Sequence, residues 1–192
     1  FIAFLLCWAP VSSAGTLSLV TQSRWVEVAY VYDGDTFHTG RGEKVRLLGI
    51  NAPEVAHNTE PGQVFGRQAR QRLVQLLQGK IVRLRTDKDA RDNYGRLLAQ
   101  VRLRDGSWIN ALLLREGLAH VYTFAPNFHW AEALLEAEAV ARKAKKGIWS
   151  SERFRVLKAA EVSRRHVGQF RIVEGKVGRP QSAAFRLGKL HI

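Results

Sequence analysis

Residues 25–48 carry the reading that decides the fold: Trp25-Val26-Glu27-Val28-Ala29-Tyr30-Val31-Tyr32, then Asp33-Gly34, Thr36-Phe37-His38-Thr39, Gly40-Arg41-Gly42 and Lys44-Val45-Arg46-Leu47-Leu48. Short β-branched and aromatic runs are separated by Asp-Gly and Gly-Arg-Gly. That pattern predicts strands joined by tight turns, a meander. Residues 63–77 then change period. Val64, Ala69, Leu73, Leu76 and Leu77 fall on one face and Arg67, Arg70 and Arg72 elsewhere, which predicts an amphipathic helix stopped by Gly79. Two more strands, 81–86 and 97–104, flank a turn-rich segment at 87–95. A second helix is expected over 110–116, ending at Gly117, and a third over about 128–146. At the end of the third, Lys143, Lys145 and Lys146 suit the negative pole of the helix, and Gly147 suits a left-handed cap. The class is α+β, mainly β, and the five strands allow a small barrel.

The 192 residues suffice for one well-buried domain with additional segments. Hydrophobic residues make up 46% and charged residues 24%, which excludes a fibrous or disordered chain. Thirty Lys and Arg against 17 Asp and Glu give +13, a field that attracts polyanions, whether nucleic acid or an anionic membrane surface.

Residues 1–14 are uncharged and mostly apolar, too short a run to span a bilayer, and Ser12 and Ala14 offer small residues before a cut near Gly15. They read as a signal peptide without its basic n-region, so the chain is expected to start inside its precursor; a buried N-terminal strand or helix is the alternative. The expected location is secreted, periplasmic or at the cell envelope, with no stable membrane insertion after cleavage. The one cysteine, Cys7, lies in this leader, so the mature chain has no disulfides and no thiolate metal site. A linker is expected at 15–23 and the main domain at 24–150. Residues 151–192 read as a basic linker that opens a truncated second β module, or as a flexible basic tail.

Asp33-Gly34-Asp35-Thr36 sets two carboxylates two positions apart, with a glycine that admits close approach to a hard cation. Asp-Gly is equally a common hairpin turn. The spacing is not an EF-hand, since His38 and Lys44 stand where that loop needs Gly and Glu. Residues 46–54, Arg-Leu-Leu-Gly-Ile-Asn-Ala-Pro-Glu, deliver a guanidinium from a strand and then a carboxylate after Pro53. Arg46 suits a phosphate and Glu54 suits a proton from water, or the two simply pair at a strand edge. Asp92-Asn93-Tyr94-Gly95-Arg96 repeats the theme, or forms a solvated hairpin tip. The six histidines lack zinc spacing, and no phosphate loop or serine-nucleophile elbow occurs. Tyr94, Tyr122, Phe124 and Phe128 suit base stacking or ordinary packing.

In order, Asp33 to Thr36, Arg46 to Glu54, Glu60-Pro61-Gly62-Gln63-x-x-Gly66, Asp92 to Arg96, Asn110-Ala111-x-Leu113-x-x-x-Gly117-Leu118-Ala119 and Gly147-Ile148-Trp149 resemble the staphylococcal nuclease, or thermonuclease, domain across residues 25–150. The resemblance implies a five-stranded OB-fold barrel with three helices and a calcium-dependent phosphodiesterase acting on DNA or RNA, single strands favoured, as a monomer. It implies calcium at Asp35, Asn51 and the Ala52 carbonyl, and water activation by Glu54. Arg46 and Arg96 would clamp the phosphate, Tyr94 would contact substrate, and Tyr122 is a further substrate binder. The 5′ P–O bond would break, leaving 3′-phosphates. Asn51 departs from the family, which has Asp there, and so removes one negative charge from the ligand set.

Three readings therefore stand: a secreted nuclease, a weakened OB module that binds nucleic acid without cutting it, and a basic envelope-associated interaction protein. Asp35, Arg46, Glu54 and Arg96 together favour the first, because a binding module needs no general base. Asn51 favours the second.

Overall fold

Strand periodicity is plain at 81–85, where Ile81, Arg83 and Arg85 are exposed and Val82 and Leu84 buried. The computed structural model describes residues 23–56, 62–168 and 171–176. The expected leader, all but the end of the 15–23 linker, Glu60, Pro61 and parts of the 169–177 segment lie outside the described residues. The elements are β1 (Ser23–Val31), β2 (Thr36–Thr39), β3 (Lys44–Leu47), β4 (Ile50–Asn51), α1 (Gly66–Leu77), β5 (Ile81–Arg85), β6 (Leu97–Arg102), α2 (Ile109–Arg115), β7 (His120–Val121), α3 (Ala131–Lys143), β8 (Leu157–Lys158) and β9 (Val173–Glu174).

Five strands close into a barrel in the order β1-β2-β3-β6-β5, the OB-fold arrangement expected. The 25–48 meander is β1, β2 and β3, paired antiparallel with Phe37 opposite Val31 and Val45. Closure depends on β3 pairing parallel with β6, Val45 opposite Leu97 and Leu47 opposite Ala99. A bulge in β1 between Val28 and Tyr30 breaks strict alternation, so Val28 and Val31 enter the core while Tyr30 and Tyr32 face out.

From α1, Ala69, Leu73, Leu76 and Leu77 are buried against the barrel. Each such leucine contributes about 1.5–3 kcal/mol of burial. Val64 is half exposed, and the helix starts only at Gly66. The reason is local: Phe65 takes a left-handed φ of 71°, and the Gln63 amide donates to the Glu54 carbonyl at 2.8 Å. A Cβ on Gly66 would stand 2.2 Å from the Glu54 carbonyl oxygen and 3.0 Å from that of Pro53. Gly66→Ala is expected to cost roughly 1–3 kcal/mol of overpacking, read as a lower denaturant midpoint. The obstacle is backbone, which no rotamer change relieves.

Buried Asn110 at the start of α2 accepts the Val101 amide at 2.9 Å and donates to the Leu48 carbonyl at 3.0 Å. Gln100 donates to the same carbonyl at 2.9 Å and accepts the Trp108 indole at 2.8 Å. Both pin the chain where it leaves β3. At the end of α3 Gly147 is left-handed as expected, φ 54°, and Lys145, which the sequence did not mark, is left-handed two positions before it, φ 49°. The Lys145 and Lys146 amides return to Arg142 and Ala141 at 3.1 and 3.0 Å, closing a Schellman cap. Past Ser150, Phe154 and Leu157 are buried, β8 and β9 pair in parallel, and Arg142 pairs with both Glu138 and Glu174. Among the described residues no helix is long and apolar enough to cross a membrane.

Candidate active site

One cleft of about 630 Å³ opens at the mouth formed by the β1–β2 turn, the 46–54 segment, the 89–96 turn and the chain after β7. Asp35, Arg46, Asn51, Glu54, Tyr94, Arg96 and Tyr122 all line it. Of the site residues implied by the resemblance, Ala52 alone is absent from the lining, buried just behind, and of the four stacking candidates Phe128 lies outside the cleft, exposed.

The β1–β2 turn holds Asp33 and Asp35, both buried. Gly34 between them packs so tightly that a Cβ there would meet the methyls of Ala52 and Ala69 at 2.7 and 2.8 Å. That contact presses the turn against the 50–54 segment and α1. Asp35 accepts the Thr36 hydroxyl at 2.8 Å and the Ala52 amide at 3.1 Å. Arg46, from β3, spans two partners: one Nη lies 2.5 Å from Asp35 Oδ2, and the other donates to Asn51 Oδ1 at 2.7 Å. The Asp35 and Asn51 side chains thus aim oxygens at the two ends of one guanidinium fork. Arg46 and Asp35 are largely buried, so solvent screens this pair weakly.

Glu54 is exposed to the cleft, yet its carboxyl is pushed up to about 7. Desolvation is the largest cause, followed by a hydrogen bond with Asp33 and the charges of Asp33 and Asp35, while Arg46 pulls the other way. A carboxylate with that affinity for a proton at neutrality suits a general base. The sequence reading missed Asp33 as its partner, although the spacing of Asp33 and Asp35 in one turn was the available signal.

Arg96 is held by Asp92, which accepts the Arg96 Nε at 2.6 Å and the amides of Arg96 and Tyr94, each at 3.0 Å. Burial pushes the Asp92 carboxyl up, but these Arg96 and Tyr94 interactions outweigh it and hold it below the usual range. The turn thereby projects Arg96 over the cleft with its guanidinium 5.3 Å from the Tyr94 ring centre, and Tyr94 is 85% exposed. The opposite wall comes from β7, which pairs with β4 so that His120 sits opposite Asn51. Buried Glu138 of α3 accepts the Val121 amide, and the Tyr122 amide donates to the Gly49 carbonyl at 2.9 Å. Tyr122 and Phe124 then meet edge to face, 4.4 Å between ring centres. Burial lowers the His120 imidazole to about 4, with Asp35 raising and Arg46 lowering it further, so this ring is neutral at pH 7. It supports the wall behind Asn51 and meets Phe154 of the C-terminal extension at 6.3 Å.

Comparison with known proteins adds a lineage to this geometry. The family model described as "Staphylococcal nuclease homologue" matches residues 44–151. The chain is 35% identical over 153 residues to a thermonuclease of Staphylococcus hyicus, covering 78% of this chain and 89% of that one. It is 36% identical over 125 residues to a thermonuclease of Staphylococcus intermedius, covering 64% and 74%. With Endonuclease YncB of Bacillus subtilis (strain 168) it shares 36% over 144 residues, 71% and 68% of the two chains. A match over more than half the sequence and a relative covered almost end to end leave one conclusion: this chain belongs to the staphylococcal nuclease family.

Proposed function

We propose that this protein is a secreted, calcium-dependent nuclease that hydrolyses phosphodiester bonds of single-stranded DNA or RNA in the cleft, leaving 3′-phosphate ends. The observation that carries the reading is the shared cleft: a carboxylate with pKa near 7, two guanidiniums and a carboxylate–amide oxygen pair face one space. The names of the relatives support the same reaction class. Secretion rests on the apolar leader alone, and the nuclease unit is residues 24–150, with 151–192 as a basic extension that opens a second β module.

In this reading Glu54 takes a proton from water as the water oxygen attacks phosphorus, and the bond from phosphorus to the 5′ oxygen breaks, that oxygen leaving as a hydroxyl with a proton from solvent. Arg46 and Arg96 stabilise the charge that grows on the equatorial oxygens. Tyr94, at the rim, contacts a neighbouring phosphate or sugar, and Tyr122 borders the base. The protein acts as a monomer.

The donor set suits calcium. Asp35, Asn51 and the Ala52 carbonyl offer hard oxygen ligands, and two of those side-chain oxygens already converge on one positive charge, the Arg46 guanidinium. Among the described residues no three His, Cys, Asp or Glu side chains cluster as a metal site; in this reading water and substrate phosphate would complete the shell. Bound calcium would supply Lewis-acid charge at the phosphate and hold water. With that charge beside Asp35, Arg46 would be able to turn both N–H groups to phosphate oxygens.

Digestion of single-stranded DNA with calcium and with a chelator, followed by analysis of the product ends, tests the proposal: calcium-dependent cleavage to 3′-phosphates supports it, and binding without cleavage under either condition sinks it. Asn51 favours the second reading, a catalytically weakened OB module, because a neutral amide stands in the ligand set. Asn51→Asp adds a negative charge and is expected to tighten calcium on the order of tenfold by calorimetric titration. No gain in affinity would remove residue 51 from the ligand set.

A further inference from the structure

Beyond the cleft, the outward face of β1 and the first turns of α1 enclose a second groove of about 470 Å³. Tyr30, Tyr32, Val55, Ala56, Arg67 and Arg70 are among its lining. Tyr32 lines both spaces; Glu54 faces the first, and Val55 and Ala56 face the second. The groove therefore begins where the cleft ends.

Its chemistry is that of a single-strand track. Tyr30 and Tyr32 are 46% and 38% exposed because the β1 bulge turns both outward. Arg70 is fixed along them, its Nε donating to the Tyr32 carbonyl at 3.1 Å and an Nη to the Tyr30 hydroxyl at 3.3 Å. Its guanidinium lies 5.9 Å from the Tyr30 ring centre. Among the described residues no carboxylate pairs with Arg67 or Arg70, whereas Arg72, on the same helix, is clamped by Glu116 at 2.7 Å. Two uncompensated guanidiniums beside two exposed phenol rings match alternating phosphates and bases.

We infer that this groove binds the stretch of a single-stranded polynucleotide that runs on past the scissile phosphate, away from Tyr94. The inference rests on the nuclease reading for the direction of the strand. Phosphates meet Arg67 and Arg70, and bases lie against Tyr30 and Tyr32. The protein would then hold substrate on both sides of Glu54 and prefer chains longer than the cleft alone can hold.

The test is equilibrium binding in a chelator, by fluorescence anisotropy of a labelled thymidine dinucleotide and of a 16-mer oligothymidylate, with wild type and Arg67→Ala/Arg70→Ala. The double variant is expected to weaken the 16-mer about tenfold, at least fivefold more than the dinucleotide, and to flatten the logarithmic salt slope by about 1.4, two single-strand phosphate contacts. Arg67→Glu, a change at an exposed position, is expected to weaken the 16-mer in the same direction, and it guards against a misfolded double variant. An equal loss on both ligands, no loss on either, or a wild type that fails to favour the 16-mer overturns the groove. Hydrolysis is scored separately: a wild type that binds the 16-mer with this length dependence yet never cuts it sinks the nuclease reading and keeps the groove.

Discussion

Replacing Glu54 by Gln is expected to lower kcat on single-stranded DNA by about 10³-fold, within the range that a positioned general base supplies, with KM changed by less than threefold. Gln preserves size and hydrogen-bonding reach and removes the ability to take a proton. Apart from the side-chain hydrogen bond with Asp33, which Gln can also make, the structural duties at this position belong to the backbone: the Glu54 carbonyl accepts the Gln63 amide and abuts Gly66. The variant should therefore fold and still bind a non-cleavable oligonucleotide. Its pH profile is the second readout. The Glu54 carboxyl, raised to about 7 by desolvation and by Asp33 and Asp35, must be ionised to act, so wild-type kcat/KM falls as pH drops through that range. A divalent cation beside Asp35 moves the midpoint lower, never higher, because added positive charge favours the carboxylate. The variant should lose this acid limb. A kcat within threefold of wild type would reduce Glu54 to a partner of Asp33 and Arg46.

Much of this molecule can be read before any coordinates. Strand alternation with glycine turns marks β1 to β3, and Leu73, Leu76 and Leu77 mark α1, because both patterns are local consequences of burying one face. Closure of the barrel is not local. β3 and β6 meet across some fifty residues, secured by Asn110 and Gln100 on one carbonyl at Leu48, and no periodicity encodes that choice. The same limit hid the cap at Lys145, two residues before the left-handed Gly147 that the sequence did mark, where the Schellman hydrogen bonds outweigh the strain of a non-glycine residue at positive φ. It also hid Phe154 and Leu157, two apolar residues in a basic stretch that the fold nonetheless buries. For the site, motif order brought Asp35, Arg46, Glu54 and Arg96 onto one list through family resemblance. That Asp33 raises Glu54, and that Arg46 bridges Asp35 to Asn51, follows only from how Gly34 seats the turn against Ala52 and Ala69.

Arg46→Lys separates charge from geometry at that bridge. The guanidinium uses two nitrogens on two oxygens, 2.5 Å to Asp35 and 2.7 Å to Asn51, and the same fork fits two phosphate oxygens. Lysine keeps the positive charge as a single point and cannot span both. Fold stability should change little, since Asp35 keeps a cation in reach and its hydrogen bonds from Thr36 and the Ala52 amide. Turnover should fall by about 10²-fold, the loss typical of one misplaced donor to developing oxyanion charge. The loss should fall on kcat with KM nearly unchanged, because the charge that Arg46 answers develops in the transition state. If lysine sustains wild-type kcat, a diffuse positive field is enough at this position and the two-point clamp has no role in the reaction; if the variant unfolds, the Asp35–Arg46–Asn51 bridge is a structural element first.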